Sequence, residues 1–283
     1  MAADRSQELH EQLMEQVVGL RSSTEWIEAM IKVARFRDYS MGNWLLLWSQ
    51  AEARGTEVTR PAGYRTWQRL GRQVRKGERG YRILAPVVCK RETDTGDTER
   101  FVTGFRTATV FDVSQTDGDD LPDISPPTIT GTDIPGVTDT IVSLIEAEGF
   151  SYETGVLAGP NGTTFPLLKK VVVEAGLEPA QTMKTAIHEL AHVMLHSTDR
   201  FECPSRIEVE AESVAYVVCG ALGFDSSSYS VAYVAGWAEQ SDDPSRVLLV
   251  TAETIVRTAR RIITDIDQQQ KDAALQHSSL SHF

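Results

Sequence analysis

The chain has 283 residues, of which 41% are hydrophobic and 24% charged. This is the composition of an ordinary globular protein with one or two domains, and it argues against a disordered, collagenous or membrane-spanning chain. The formal net charge of −12, taken over the whole chain, argues against a nucleic-acid partner.

The first fifty residues predict three helices. Apolar residues recur at spacings of three and four over Leu9–Leu20, which is the periodicity of an amphipathic helix. A second such pattern covers Trp26–Ala34 after capping residues at 22–24, and a third begins near Ser40 and ends before Gly55. The densest apolar cluster lies in this third helix and is too short to cross a membrane.

From Gly63 onward the pattern changes to strands. Residues 82–89 and 107–113 are short, β-branched segments bounded by glycines, as in a β-hairpin. A helical start followed by hairpins predicts an α+β fold, with a first domain at residues 1–120. Residues 121–136 are predicted to be a linker, because prolines, glycine, threonine and aspartate dominate there.

Positive charge is concentrated within this first domain. Residues 32–82 contain twelve lysines and arginines against four acidic residues, a net charge of +8, so the remaining chain carries −20. Single-stranded nucleic acid is bound by cations that contact phosphates and by aromatic rings that stack on bases, and this stretch has both. The alternative is a solvated basic face with Tyr64 and Trp67 buried in the local core.

The remaining residues, 137–283, predict a mostly helical second domain. Helices are predicted at 137–147, 179–196, 207–222 and 244–267, and short strands at 163–167 and 170–173. Residues 268–283 are rich in glutamine, serine and histidine, and we expect them to be frayed.

The helix at 179–196 carries the motif His188-Glu189-Leu190-Ala191-His192. Residues four apart lie on one face of a helix, so both imidazoles can bind one zinc ion beside Glu189. A glutamate in this position can take a proton from a zinc-bound water and deliver it to a leaving amine. The motif predicts a catalytic glutamate, and the alternative is a core helix with two polar histidines. His196 is interpreted as a cation at the helix C-terminus.

Zinc needs a third protein ligand, and the next helix offers Glu208, Glu210 and Glu212. At about 100° per residue, Glu208 and Glu210 flank the buried stripe on opposite sides, whereas Glu212 shares a face with Glu208. This favours Glu208 as the ligand and Glu212 as the outer acceptor for a histidine N–H, with Glu210 as the alternative ligand. Tyr229 and Tyr233 are candidates for stabilising a tetrahedral intermediate, and the alternative is that both are buried structural tyrosines.

These motifs resemble known families. The two helices look like the gluzincin branch of zinc metallopeptidases, and residues 188–192 with 208–215 are similar to the metallopeptidase half of ArdC-type antirestriction proteins and to the repressor-cleaving ImmA/IrrE type. Residues 64–80, followed by 83–86 and 111–115, resemble the N-terminal single-stranded-DNA-binding domain of ArdC proteins.

The resemblance implies an ArdC-like single-stranded-DNA-binding domain at residues 1–120 and a gluzincin-like metallopeptidase domain at residues 137–283. It implies a metal, Zn²⁺ by default, at His188, His192 and an acidic residue, with Glu189 as general base. The DNA contacts that it implies are Tyr64, Trp67, Arg72, Arg75, Lys76 and Arg79.

The resemblance also implies a biological role, the protection of incoming plasmid or phage DNA from restriction, with single-stranded DNA and an unidentified protein substrate as partners. Three widely spaced cysteines and a polar start of the chain predict a cytoplasmic protein without a membrane partner. Two alternatives remain: a non-catalytic DNA-binding shield with structural zinc, and a regulatory protease that cleaves a repressor.

Overall fold

The computed structural model describes residues 7–9, 11–13, 15, 23–35, 39–92, 98–121, 136–197, 204–224 and 243–280. The chain divides into two compact units, one of Met1–Leu20 and Tyr39–Ile124 and the other of Arg21–Asp38 and Ser125–Phe283. Helices and strands occur in both units, which confirms the predicted α+β class. None of the helices in the described part of the chain combines the length and apolarity that a bilayer crossing requires.

Seven helices and eight strands cover most of the described residues. The helices are α1 (Ser23–Arg35), α2 (Met41–Glu52), α3 (Tyr64–Arg69), α4 (Val137–Ala147), α5 (Pro179–His196), α6 (Pro204–Ala221) and α7 (Pro244–Leu280). The strands are β1 (Pro61–Ala62), β2 (Arg72–Val74), β3 (Tyr81–Glu92), β4 (Thr98–Asp112), β5 (Thr116–Gly118), β6 (Ser151–Gly155), β7 (Gly162–Phe165) and β8 (Lys170–Glu174).

The first unit is built on a long antiparallel hairpin of β3 and β4. The strands predicted at 82–89 and 107–113 fall largely within it, but both observed strands are longer than predicted. Strand β1 pairs with the other edge of β4, and β2 and β5 form a separate antiparallel pair. Helix α2 begins where predicted, because the Ser40 side chain accepts a hydrogen bond from the N–H of Asn43. The Asn43 amide in turn both donates to and accepts from the main chain of Leu84, at 2.9 Å in each direction, which ties α2 to β3.

The second unit contains a three-stranded sheet in the order β6–β8–β7. Strand β6 runs parallel to β8, and β7 runs antiparallel to it, so β7 is an edge strand. The parallel strand β6 was not predicted, because Ser151–Gly155 has neither β-branched enrichment nor a clear alternation of apolar residues. Helix α5 has the predicted bounds, and α7 continues to Leu280, beyond the predicted end at 267.

Helix α1 lies with the second unit, which differs from the predicted first domain of residues 1–120. Its buried residues pack against α6 and α7, and the guanidinium of Arg260 on α7 donates to the Val33 carbonyl at 2.7 and 3.2 Å. Gly220 on α6 leaves room for Ile31, since a Cβ at that position would lie 2.5 Å from the Ile31 Cδ1 atom. The predicted linker at 121–136 falls mostly outside the described residues.

Candidate metal centre and basic surface

Helix α5 presents the His-Glu-x-x-His motif to a cleft. The apolar side chains of Ile187, Leu190 and Ala191 are fully buried on one side of the helix, so the motif residues face the other. Helix α6 packs along α5, and strand β7 packs against it as well. The cleft has a volume of about 1000 Å³ and is lined by β7, by α6 and by the motif itself.

Three ligand atoms converge at the base of this cleft. The Nε2 atoms of His188 and His192 are 3.0 Å apart, and the Glu208 carboxylate oxygens lie 3.5 and 3.6 Å from them. A tetrahedral ion with bonds of about 2.0–2.1 Å holds its ligand atoms about 3.3 Å apart, so the three residues fit one divalent ion. Among the described residues, His188, His192 and Glu208 form the group of metal-ligating side chains whose ligand atoms lie close enough together, within 4.8 Å, to hold one ion.

Glu212 contacts His188 on the opposite side of the imidazole ring from the three ligand atoms. Its Oε2 atom is 3.1 Å from His188 Nδ1, and its Oε1 atom accepts from Lys184 Nζ at 2.7 Å. The hydrogen bond with His188 lowers the pKa of Glu212 to about 2. Burial opposes part of this shift, and the hydrogen bond from Lys184 adds to it. Glu212 therefore stays ionised and accepts the Nδ1–H of His188, so Nε2 is the ring nitrogen that faces the cluster.

The general-base candidate Glu189 is buried against β7. Its Oε2 atom accepts a hydrogen bond from Thr164 Oγ1 at 2.6 Å. Burial raises the pKa of the Glu189 carboxyl, and the bond from Thr164 opposes part of that rise. Gly162 makes this contact possible, because a Cβ there would lie 2.5 Å from Glu189 Oε1 and 2.6 Å from Thr185 Cγ2. Sequence reasoning missed Thr164 and Gly162, since neither belongs to a motif.

Glu210, the alternative third ligand, is not brought to the cluster. Its carboxylate is 3% exposed, accepts from Arg206 Nε at 2.9 Å and lies 3.0 Å from His196 Nε2. His196, interpreted from the sequence as a cation at the helix C-terminus, is instead buried and contacts Glu210 and His192. Tyr229 and Tyr233 lie outside the described residues.

Of the two aromatic residues in the basic stretch, Trp67 is buried and Tyr64 is exposed. Trp67 is 0% exposed and its Nε1–H donates to the Phe111 carbonyl at 2.9 Å, so it belongs to the core of the first unit and cannot stack on a base. Its assignment as a DNA contact is therefore wrong. Tyr64, three residues earlier on α3, is 42% exposed, and its hydroxyl accepts from Gln73 at 2.6 Å.

The cations of this stretch also differ in their surroundings. The Arg72 guanidinium donates to Thr116 at 2.8 and 3.0 Å and to the Gly118 carbonyl at 3.1 Å, so it fastens β2 to β5. Arg75 forms ion pairs with Glu78 at 2.9 Å and Asp117 at 3.2 Å.

Lys76 and Arg79 are exposed, and no hydrogen bond or ion pair of their side chains occurs among the described residues. Lys76 lines a shallow pocket together with Tyr64, whereas Arg79 lines another with Arg54 and Arg82. The exposed basic side chains of the described part of this stretch thus include Lys76 and Arg79, with Arg65 and Arg69 on α3.

Comparison with known proteins gives matches to both units. Residues 4–111 match the family described as the N-terminal domain of anti-restriction factor ArdC. An uncharacterized protein of Bacillus anthracis is 24% identical over 95% of this chain, and one of Sinorhizobium fredii is 35% identical over 32% of it. The chain spans 53% of the first relative's length and 32% of the second's.

The fold resembles that of a solved antirestriction protein. The metal-free crystal structure of ArdC from plasmid R388 matches 81% of this chain and 85% of its own, with a TM-score of 0.50 and 25% identity. The Mn(II)-bound structure of that protein matches 86% of this chain with a TM-score of 0.48 and 23% identity. Residues 4–111 thus match the ArdC N-terminal domain, and the fold of the chain resembles that of this ArdC protein over most of its length.

Proposed function

We propose that the chain binds single-stranded DNA through its first unit and acts as a metal-dependent peptidase through its second, in the cytoplasm, to protect the DNA of a plasmid or phage from restriction. The observation that carries the peptidase half is the convergence of His188, His192 and Glu208 beside the buried carboxylate of Glu189. The DNA-binding half is supported by the exposed Tyr64, Lys76 and Arg79.

His188, His192 and Glu208 would hold the ion, and two imidazoles with one carboxylate suit Zn²⁺ best among common divalent metals. When bound, such an ion lowers the pKa of a water molecule and polarises a carbonyl. Glu189 supplies the proton transfers: its carboxylate accepts a proton from the attacking water and delivers it to the leaving amine. Thr164 holds one oxygen of that carboxylate, which orients the other.

The cleft suits an extended polypeptide. Strand β7 forms the edge of its sheet and lines the cleft through Gly162, Thr163 and Thr164. An edge strand offers main-chain N–H and carbonyl groups that can pair with a strand-like ligand, independently of its side chains. An extended segment of a protein substrate laid along β7 would cross in front of Glu189.

Replacing Glu189 by glutamine is expected to leave metal binding intact and to abolish protection against restriction. Glutamine keeps the shape of the side chain and an oxygen for the Thr164 bond, but it cannot take up a proton. The measurement is plasmid transfer into a restricting host, with metal content of the purified protein determined in parallel and His188→Ala as the metal-free control.

The alternatives give different results in this assay. Full protection by the Glu189→Gln protein would show that the chain is a shield with structural metal and would end the peptidase proposal. A host regulator that is cleaved by the wild type and intact with Glu189→Gln, without any effect on restriction, would instead favour a repressor-cleaving protease.

Removing two exposed cations of the basic stretch, Lys76→Ala with Arg79→Ala, is expected to reduce the salt dependence of single-stranded DNA binding. Each phosphate that the protein no longer neutralises lowers the slope of log K against log salt by about 0.7, so the pair should lower it by about 1.4. The control is Arg246→Ala with Arg257→Ala, which removes two exposed cations of α7. Equal slopes in the wild type and the Lys76/Arg79 variant would exclude this surface as the DNA site.

A further inference from the structure

A buried chain of polar contacts leads away from His192 on the side opposite the ligand cluster. His192 Nδ1 lies 3.3 Å from His196 Nδ1, and His196 Nε2 lies 3.0 Å from Glu210 Oε2. The other oxygen of Glu210 accepts from Arg206 Nε at 2.9 Å. The side chains of His196 and Glu210 are 5% and 3% exposed, so water does not compete for these contacts.

The chemistry of these groups assigns the protons along the chain. A carboxylate only accepts hydrogen bonds, so the proton of a neutral His196 lies on Nε2 and is donated to Glu210. Nδ1 of His196 is then an acceptor, and the proton between the two imidazoles lies on Nδ1 of His192. This leaves the lone pair of His192 Nε2 directed at His188 and Glu208, where a metal would bind.

The same arrangement exists at His188, with one fewer residue in the chain. There the Nδ1 atom contacts Glu212 directly, and Glu212 is paired with Lys184. Both histidines of the motif are thus fixed through Nδ1 by a carboxylate that a basic side chain neutralises. At His192 the carboxylate is too far for direct contact, and the imidazole of His196, one helical turn further along α5, spans the gap.

We propose that His196 and Glu210 are positioning residues of the metal centre, which act by fixing the tautomer and ring orientation of His192. The proposal rests on the proposed metal site of His188, His192 and Glu208. A histidine that donates its Nδ1–H to an acceptor is a stronger ligand at Nε2 and loses less rotational freedom on binding, and such outer partners are worth about 10–100-fold in metal affinity.

A purely structural role for the same residues predicts a different outcome. If His196 and Glu210 only satisfy each other between α5 and α6, their replacement lowers the free energy of unfolding and leaves the metal affinity of the folded protein unchanged. The two roles are therefore separated by metal affinity measured on folded protein, not by stability.

The test compares His196→Phe with His196→Gln in the full chain. Phenylalanine fills the space but cannot accept a hydrogen bond, whereas the glutamine amide can accept from His192 and donate to Glu210. We expect His196→Phe to weaken Zn²⁺ binding about 10–100-fold in competition with a chromophoric chelator, and His196→Gln to recover most of the loss. In the zinc-loaded protein, the His192 Nδ1–H proton should exchange slowly with solvent in the wild type and faster in His196→Phe.

The outcomes separate this inference from the proposed function. A wild type that binds no Zn²⁺ would remove the metal site itself, whereas a wild type that binds and a His196→Phe protein that binds equally tightly would overturn only the positioning role. If His196→Phe does not fold, Glu210→Gln takes its place, because it keeps the volume and removes the charge that holds His196. An affinity for Zn²⁺ lowered about tenfold is expected, and an unchanged affinity overturns the inference.

Discussion

Replacing Glu208 by alanine is expected to lower Zn²⁺ affinity by on the order of 1000-fold. A complete zinc site is worth about 10–16 kcal/mol, so one ligand among three or four contributes several kcal/mol, and about 1.4 kcal/mol corresponds to a factor of ten. Glu208 is the acidic residue whose oxygens lie 3.5 and 3.6 Å from the two imidazole Nε2 atoms. Isothermal titration of the metal-free protein with Zn²⁺ measures the loss.

The two other glutamates of this helix turn are the matched controls. Glu212→Gln keeps an acceptor for His188 but loses the ion pair with Lys184, so we expect about a 10–100-fold loss, as for other outer partners. Glu210→Gln should have the smaller effect given above. An order in which Glu210→Gln costs more affinity than Glu208→Ala would contradict the assignment of the third ligand.

The pairing of the two histidines was accessible to sequence reasoning because it depends on helix periodicity alone, and Glu208 was favoured as the third ligand because it shares a face of α6 with Glu212. His188 and His192 lie four residues apart on α5, and the position of Glu208 relative to the buried stripe of α6 follows from the rotation per residue. The role of His196 did not follow, because its partner Glu210 lies on another helix and the distance between helices is a property of their packing. A histidine in the last turn of a helix is equally typical of a C-terminal cation.

The contacts of Glu189 with strand β7 could not be predicted from the sequence either. A strand at 163–167 was predicted, but nothing in the sequence indicates that it lies against α5, or that Gly162 is the point of closest contact. Helix α1 is a third example. Its amphipathic pattern predicts a helix correctly, yet it cannot specify whether the apolar face packs in the first unit or the second.

In the basic stretch, composition indicated a binding surface but could not assign each residue to it. Arg72 and Arg75 contribute charge, yet their guanidinium groups are used within the β2–β5 pair and its neighbouring turn. Tyr64 and Trp67 are three residues apart on α3, and a helix of one and a half turns has no periodicity long enough to identify its buried side.

Truncating Trp67 to alanine is expected to destabilise the protein by about 3–5 kcal/mol, the usual cost of removing a fully buried tryptophan. The ring is 0% exposed, and its loss also leaves the Phe111 carbonyl without the indole N–H. Urea unfolding followed by far-ultraviolet circular dichroism measures the change. A loss of this size is a large fraction of the stability of a typical domain.

Tyr64→Ala is the matched aromatic control, and the two variants should behave in opposite ways. Tyr64 is 42% exposed, so its removal should change the free energy of unfolding little but weaken single-stranded DNA binding by about 1–3 kcal/mol, the worth of one stacked base. Folded Trp67→Ala protein should retain the DNA affinity of the wild type. If Trp67→Ala instead keeps full stability and loses DNA affinity, Trp67 is a stacking residue, and its placement in the core is wrong.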